Sequence, residues 1–291
     1  MSSTARKIIG KIINYWHIFS ANKLSVVGLI IILVFVVMAL GAEIIAPHSP
    51  TRVVARRFQP PSSMYLLGTD DAGRDVFSQI VYGSRVSLLV GVSAAAISTL
   101  LGLMIGLISG YFGGIIDGIL MRITDVFLII PMIPLAILLA VYVGPSLTNI
   151  IILFGLLTWP GTARQIRSQI LSMKELPFVE ALHALGASSK RIIFFHLLPN
   201  TVGVAFANMI GVSVGAIIGE AGLSFLGVTD PRNISWGRIL SRSLGGGAII
   251  YNAWWTLVSP GFCIALLACG FSFLSHGLTL LVSPHLRRKI Q

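Results

Sequence analysis

Apolar and polar stretches alternate along this chain at the scale of membrane spans. Six apolar runs, at about 24–46, 86–108, 126–143, 147–163, 201–219 and 256–282, are separated by polar segments. Crossing the hydrocarbon core takes about 20 apolar residues as a helix. The pattern therefore predicts an all-α integral membrane protein of about six transmembrane helices. It divides the chain into an N-terminal segment 1–23, a first span 24–46, a loop 47–85, a core 86–282 with five spans, and a tail 283–291. The second run is rich in Gly, Ala and Ser, which lets helices approach closely. The third carries Pro131 and Pro134, which kink a helix either to line a pathway or to bend it around neighbours. In the N-terminal segment Ile8, Ile9, Ile12, Ile13, Trp16 and Phe19 interleave with Arg6, Lys7, Lys11 and Lys23, the pattern of an interfacial amphipathic helix. The long apolar run behind it, with no small-residue cleavage site, argues against a cleaved signal peptide.

The most informative polar stretch is 165–200, between the fourth and fifth runs. Pro177 suits the first turn of a helix. Phe178, Val179, Leu182 and Leu185 then fall on one face. Gly186 is placed to end that helix. Ser188 or Ser189 can cap a second helix over 190–197, which Pro199 stops before the next span. The stretch reads as two short helices at a bend, lying against the membrane surface or another protein.

Composition agrees with the membrane reading. The 291 residues are 55% hydrophobic and 11% charged, with mean hydropathy +0.89; soluble domains carry about 25% charged residues. The net charge is +11, but the bases are spread over the loops, which favours lipid headgroups over nucleic acid. With the N-terminus inside, thirteen bases including every lysine lie on the cytoplasmic side and eight outside. Cys263 and Cys269 sit six apart in the last apolar run and fit no metal spacing. Asp70, Asp71 and Asp75 lie close together, but Arg74 among them opposes a metal site and favours local ion pairs. Arg122 and Asp125, three apart, can pair on a helix. Asp125, Glu220 and Asn208 are the candidate polar residues of a pathway or of the internal structure. For Glu220 the structural alternatives are capping a re-entrant helix or pairing with Arg238. No G-x-x-x-x-G-K-[ST] stretch occurs, so ATP binding by a P-loop belongs to another chain. No H-E-x-x-H site or nucleophile–base pair stands out.

Several stretches together resemble a known family. Glu180-Ala181, Gly186 and Leu198-Pro199 are similar to the coupling motif E-A-A-x3-G-x9-I-x-L-P of ABC importer permeases, with Leu182 in place of the second Ala and His196 in place of Ile. Residues 196–200, HLLPN, are similar to the dipeptide, oligopeptide and nickel branch. LGTDDAGRD at 67–75, YGSRVSL at 82–88, the run from Tyr111 to Asp125, EAGLSFLG at 220–227 and AWWTLVSPG at 253–261 resemble the C-type subunit of that branch. Segment 272–284 departs from the family's usual ending and keeps Gly277, Leu278, Leu281 and Pro284. The resemblance implies a type I ABC importer permease in a prokaryotic cytoplasmic membrane, with both termini cytoplasmic. It implies a second homologous permease, two cytoplasmic ATPase subunits holding ATP and Mg, and an extracytoplasmic solute-binding protein. Glu180, Ala181, Leu182, Gly186, Leu198 and Pro199 would form the ATPase-coupling loop. Di- or oligopeptides are the expected cargo, with nickel chelates as another. The chain itself would be no enzyme and hold no cofactor. The rival reading is an ion- or proton-coupled transporter or channel relaying through Asp125 and Glu220.

Overall fold

A computed structural model describes residues 19–282. The expected amphipathic N-terminus therefore lies outside the described residues up to residue 18, and the tail 283–291 lies outside them entirely.

The described chain is helical. Its elements are α1 (Lys23–Leu40), α2 (Ala42–Ile45), α3 (Val76–Phe112), α4 (Gly114–Ile129), α5 (Met132–Val143), α6 (Leu147–Lys174), α7 (Pro177–Ala184), α8 (Ser189–Ile192), a π-helical turn (Ile193–Leu197), α9 (Leu198–Phe225), α10 (Trp236–Gly245) and α11 (Trp255–Val282). Four helical stretches are long and apolar enough to cross a membrane: α1, α3, Ser189–Phe225 and Trp255–Thr279. A fifth is added if α4 and α5, bent 88° from each other, form one broken span.

Two of the six expected spans thus differ from simple crossings. The third is broken because Pro131 holds Ile130 extended, at ψ 126°, as a residue before proline must be. The fourth, 147–163, is the first part of α6, where Thr158, Thr162 and the following polar residues dilute the apolar run. Pro160 does not end that helix; it sits buried inside it, and α6 continues to Lys174.

Other boundaries move for physical reasons. The loop that begins at residue 47 ends at Asp75, not at residue 85. The Asp75 carboxylate accepts from the Ser78 backbone N–H at 3.0 Å and caps α3, whose 37 residues extend about 55 Å, well past the apolar core. Pro199 does not stop a helix. It stands in the first turn of α9, and the π-helical turn before it absorbs the missing N–H, so helix runs from Ser189 to Phe225. The long outer loop after α9 contains the helix α10.

The centre of the fold is the α3–α6 pair. Gly102, Gly106 and Gly110 recur every fourth residue on α3 and lie against Thr162, Ala163, Ile166 and Ile170 of α6. A methyl added at Gly106 would stand 2.7 Å from the Ala163 carbonyl oxygen and the Ile166 Cβ. Membrane helices gain from such close packing because lipid offers no hydrophobic contrast. α9 packs against α3, with Gly91 under Ile217, and α1 packs against α11.

The polar segment 47–75 folds around one carboxylate. Asp70 accepts from the backbone N–H of Ala72 and Arg74 (2.9 and 2.8 Å), from Arg74 Nε (2.7 Å) and from Gln79 Nε2 (2.9 Å). Arg74 also reaches Asp71 at 3.1 Å, so the expected local ion pairs do fold this loop. One indole locks it to the helices, Trp255 of α11 donating to the Thr69 carbonyl, and a second, Trp236 of α10, donates to the Ile80 carbonyl of α3. Trp254 is exposed, whereas Trp255 is buried.

Candidate functional site

The segment 175–200 lies at the end of the α3–α6 pair opposite the 47–75 loop. α7 forms where the pattern predicted, with Pro177 at its start. Its end is a Schellman motif: Gly186 N–H donates to the His183 carbonyl and Ala187 N–H to the Leu182 carbonyl. Gly186 has φ +73°, a left-handed conformation that glycine adopts without strain. Ser188 then caps α8 by accepting from the Arg191 N–H.

The four apolar positions of α7 do not share one role. Val179 is buried, and Leu182 and Ala187 pack beside it against Leu103, Leu107, Ile166 and Ile170. Phe178 and Leu185 are exposed, Leu185 at 83%. His183 stacks on Tyr111 of α3, with centroids 6.2 Å apart. α7 is therefore fastened to the bundle on one side and presents an apolar, unpartnered side. Leu182, standing where alanine is usual in the motif, belongs to the fastening side. Glu180 and Ala181 are exposed in the first turns of α7, and an acid there suits the helix dipole. Leu198 is half-buried in the same cluster and Pro199 is exposed. Beside them Lys190, Arg191, Phe194, Phe195 and His196 line an open concavity. A surface of exposed aromatics rimmed by bases is suited to docking.

Behind this surface lies an ionic clamp that local reading of the sequence missed. Arg167 of α6 makes two bonds to Asp117 of α4, Nε to Oδ1 at 2.6 Å and Nη2 to Oδ2 at 2.5 Å, and Ser109 of α3 donates to the same carboxylate. One turn away Arg164 reaches Asp125 at 2.5 Å. Asp125 thus pairs with Arg164 and not with Arg122, because α4 turns its acids toward α6. The available signal was two acids on α4 and two bases three apart on α6, a pattern visible only once those helices are known to touch.

Glu220 is not at a helix edge. It lies in α9, buried at 1% exposure, and accepts from Ser224 Oγ at 2.5 Å; Ser224 also bonds Thr229. Among the described residues its second oxygen has Ser235 beside it but no hydrogen bond of good geometry, and no hydrogen bond or ion pair joins Glu220 to Arg238. With Thr229, Asn233 and Ser235 it lines a cavity of about 10 Å³, room for one water. At the rim, the Arg232 side chain and backbone N–H hold the Asp230 carboxyl below the usual carboxylate range. On α10, burial and the neighbouring Arg74 and Arg238 lower the Arg242 guanidinium. Asn208 lies elsewhere, in a groove between α6, α9 and α11. The structure leaves Glu180, Ala181, Gly186 and Pro199 exposed, packs Leu182 and Leu198 against one buried cluster, and leaves Asp125, Glu220 and Asn208 in three separate places.

Residues 102–288 match the family described as binding-protein-dependent transport system inner membrane component, and residues 13–61 match the N-terminal TM domain of oligopeptide transport permease C. The chain is 40% identical over 275 residues to the dipeptide transport system permease protein DppC of Bacillus subtilis, covering 94% of this chain and 85% of that one. It is 37% identical over 291 residues to the oligopeptide transport system permease protein OppC of the same organism, covering 98% and 94%. The dipeptide permease DppC of Escherichia coli is 36% identical over 283 residues, covering 94% and 93%.

Proposed function

The chain belongs to the binding-protein-dependent inner-membrane transport components, and on that premise we propose that it is the C-type permease subunit of an ATP-driven importer of di- or oligopeptides. It is a multi-pass membrane subunit of a non-catalytic class. The cargo is inferred from the relatives, which are named as dipeptide and oligopeptide transport permeases.

The observation that carries the mechanism is the two-sided α7. Val179 and Leu182 fasten it to α3 and α6, while Phe178 and Leu185 stay exposed for a partner. A force applied at the exposed side passes through the fastened side into the two helices that centre the fold. In this reading two cytoplasmic ATPase subunits, holding ATP and Mg, grip α7 of this chain and of a second, homologous permease. ATP binding draws the two α7 segments together and opens the path outward, toward a solute-binding protein; hydrolysis resets it. Glu180, Ala181 and Gly186 form the gripped edge, Leu182 and Leu198 the fastening, and Pro199 the entry to α9. The N- and C-termini and 165–200 are then cytoplasmic, and 47–75 faces outside. We divide the chain into an N-terminal segment 1–23, a first span 24–46, an outer loop 47–75 that stops short of the expected residue 85, a permease core 76–282 and a tail 283–291.

The ion-relay alternative lacks support, since Asp125 is engaged by Arg164 and Glu220 by Ser224 on different helices. Affinity purification from native membranes in mild detergent tests the reading. Recovery of a second permease together with P-loop ATPases is the expected result. A chain that purifies alone and moves solute in liposomes without ATP would overturn it.

A further inference from the structure

Four polar side chains follow one face of α6: Thr158, Thr162, Gln165 and Gln169, at i, i+4, i+7 and i+11. Thr158, Thr162 and Gln165 face Asn208 of α9 and Ser275 of α11 across an open groove of about 250 Å³. Gly161 and Gly211 lie among them; at Gly161 an added Cβ would meet nothing within 4 Å, so the groove is open there. Every lining side chain is uncharged. The polar face of α6 runs on to the coupling segment, where Gln169 Nε2 donates to the Asn200 carbonyl at 3.3 Å. The Asn208 Nδ2 and Gln169 Oε1 atoms are buried without a partner. Two carboxamides thus hold unused hydrogen-bonding capacity on helices of a membrane bundle.

Such groups are costly against lipid, and within membranes they line cavities and substrate paths. A carboxamide both donates and accepts, as a peptide bond does, and the Thr158 and Ser275 hydroxyls, whose hydrogens go to the Phe154 and Ala207 carbonyls, add acceptors. A groove with neutral polar walls and no charge has no means of sorting acidic from basic side chains. It can satisfy the backbone, the part that all peptides share.

Resting on the peptide reading above, we propose that this groove lines the translocation path and contacts the backbone amides of the passing peptide, with Asn208 and Gln165 as the principal contacts.

The test uses the intact assembly in liposomes, with Cys263 and Cys269 replaced by alanine. Gln165→Cys and Gly161→Cys are compared with Leu156→Cys and Val202→Cys, exposed positions off the groove. A charged, water-soluble thiosulfonate should modify 165 and 161 at least about tenfold faster than 156 and 202, and modification at 165 should stop uptake of labelled dialanine. Equal reactivity, or uptake unchanged after full modification at 165, overturns the assignment. Asn208→Leu then tests the amide contact. Loss of one hydrogen bond should cut dialanine uptake by about two- to tenfold and narrow its preference over the thioamide analogue of dialanine, whose sulfur is a weaker acceptor for the Asn208 Nδ2 hydrogen. An equal fall for both substrates indicates a structural role and overturns the contact. Gln165→Leu, an exposed side chain, gives the same readout if the Asn208 variant fails to assemble. An assembly that carries another solute but no dipeptide, while 165 still reacts faster than 156 and 202, would defeat the peptide reading and leave the path where it is.

Discussion

Gly186 separates two explanations of why a glycine stands in the coupling segment. A bulky replacement could fail by collision or by backbone strain. No other described residue of this chain lies within 4 Å of where a Cβ would stand, so a collision of that carbon within the chain is excluded. What remains is φ +73°. A left-handed conformation costs an L-residue roughly 1–2 kcal/mol, and more for a β-branched one. Asn tolerates it better than other side chains. A penalty of about 1–2 kcal/mol lowers the population of a local conformation about 5- to 30-fold. The penalty falls on the Schellman end of α7 alone, since Val179 and Leu182 hold the helix independently of it. Gly186→Val should therefore insert and assemble normally but lose most ATP-driven uptake, with futile or reduced ATP hydrolysis. Gly186→Asn should remain near the wild type, and Gly186→Ala should fall between. The assay is dipeptide uptake and ATPase rate of the reconstituted assembly, with copurified ATPase as the measure of assembly. Equal activity of the Val and Asn variants, or loss ordered by side-chain volume (Ala best, Val and Asn alike), would refute the argument from φ.

Asp117→Asn removes the charge behind two short bonds to Arg167 and should destabilise the end of the bundle that carries α7 by about 1.5–3 kcal/mol. A lower thermal midpoint in detergent checks it, and an unchanged midpoint would show the clamp to be redundant. Gly106→Leu forces a side chain between α3 and α6, where even a methyl meets Ala163 and Ile166 at 2.7 Å. Overpacking costs about 1–3 kcal/mol or more, so membrane accumulation should drop; Gly118→Leu, with open space at its Cβ, is the control that should accumulate normally. Asp70→Asn leaves Arg74 without its buried partner and should loosen the 47–75 loop, seen as faster proteolysis there, with α7 and ATPase binding unaffected.

The sequence by itself determined what is set by neighbours within a turn or two. The apolar runs gave a membrane-embedded helical chain, and motifs spread along most of it pointed to the permease family. Pro177, Gly186 and Ser188 marked the ends of α7 and α8, because caps are satisfied by groups two to five residues away. Asp70, Asp71 and Arg74 declared their pairing for the same reason. The tertiary structure decided whatever depends on which helices touch and how they turn. Asp125 takes Arg164, 39 residues away, over Arg122 three residues away, because α4 lies with its acidic face on α6. Val179 and Leu185, alike in the pattern, part into fastener and docking surface because only one side of α7 meets the bundle. Proline rules likewise gave a local tendency that context overrode: Pro131 breaks a span by 88°, whereas Pro160 and Pro199 are absorbed into long helices. Glu220, which reads as an edge residue in the chain, is interior because α9 continues to Phe225 and the segment 228–235 lays its hydroxyls over the carboxylate. Helix ends are written in local hydrogen-bonding capacity. The faces that pair across a membrane bundle are chosen by packing, and packing involves residues far apart in sequence.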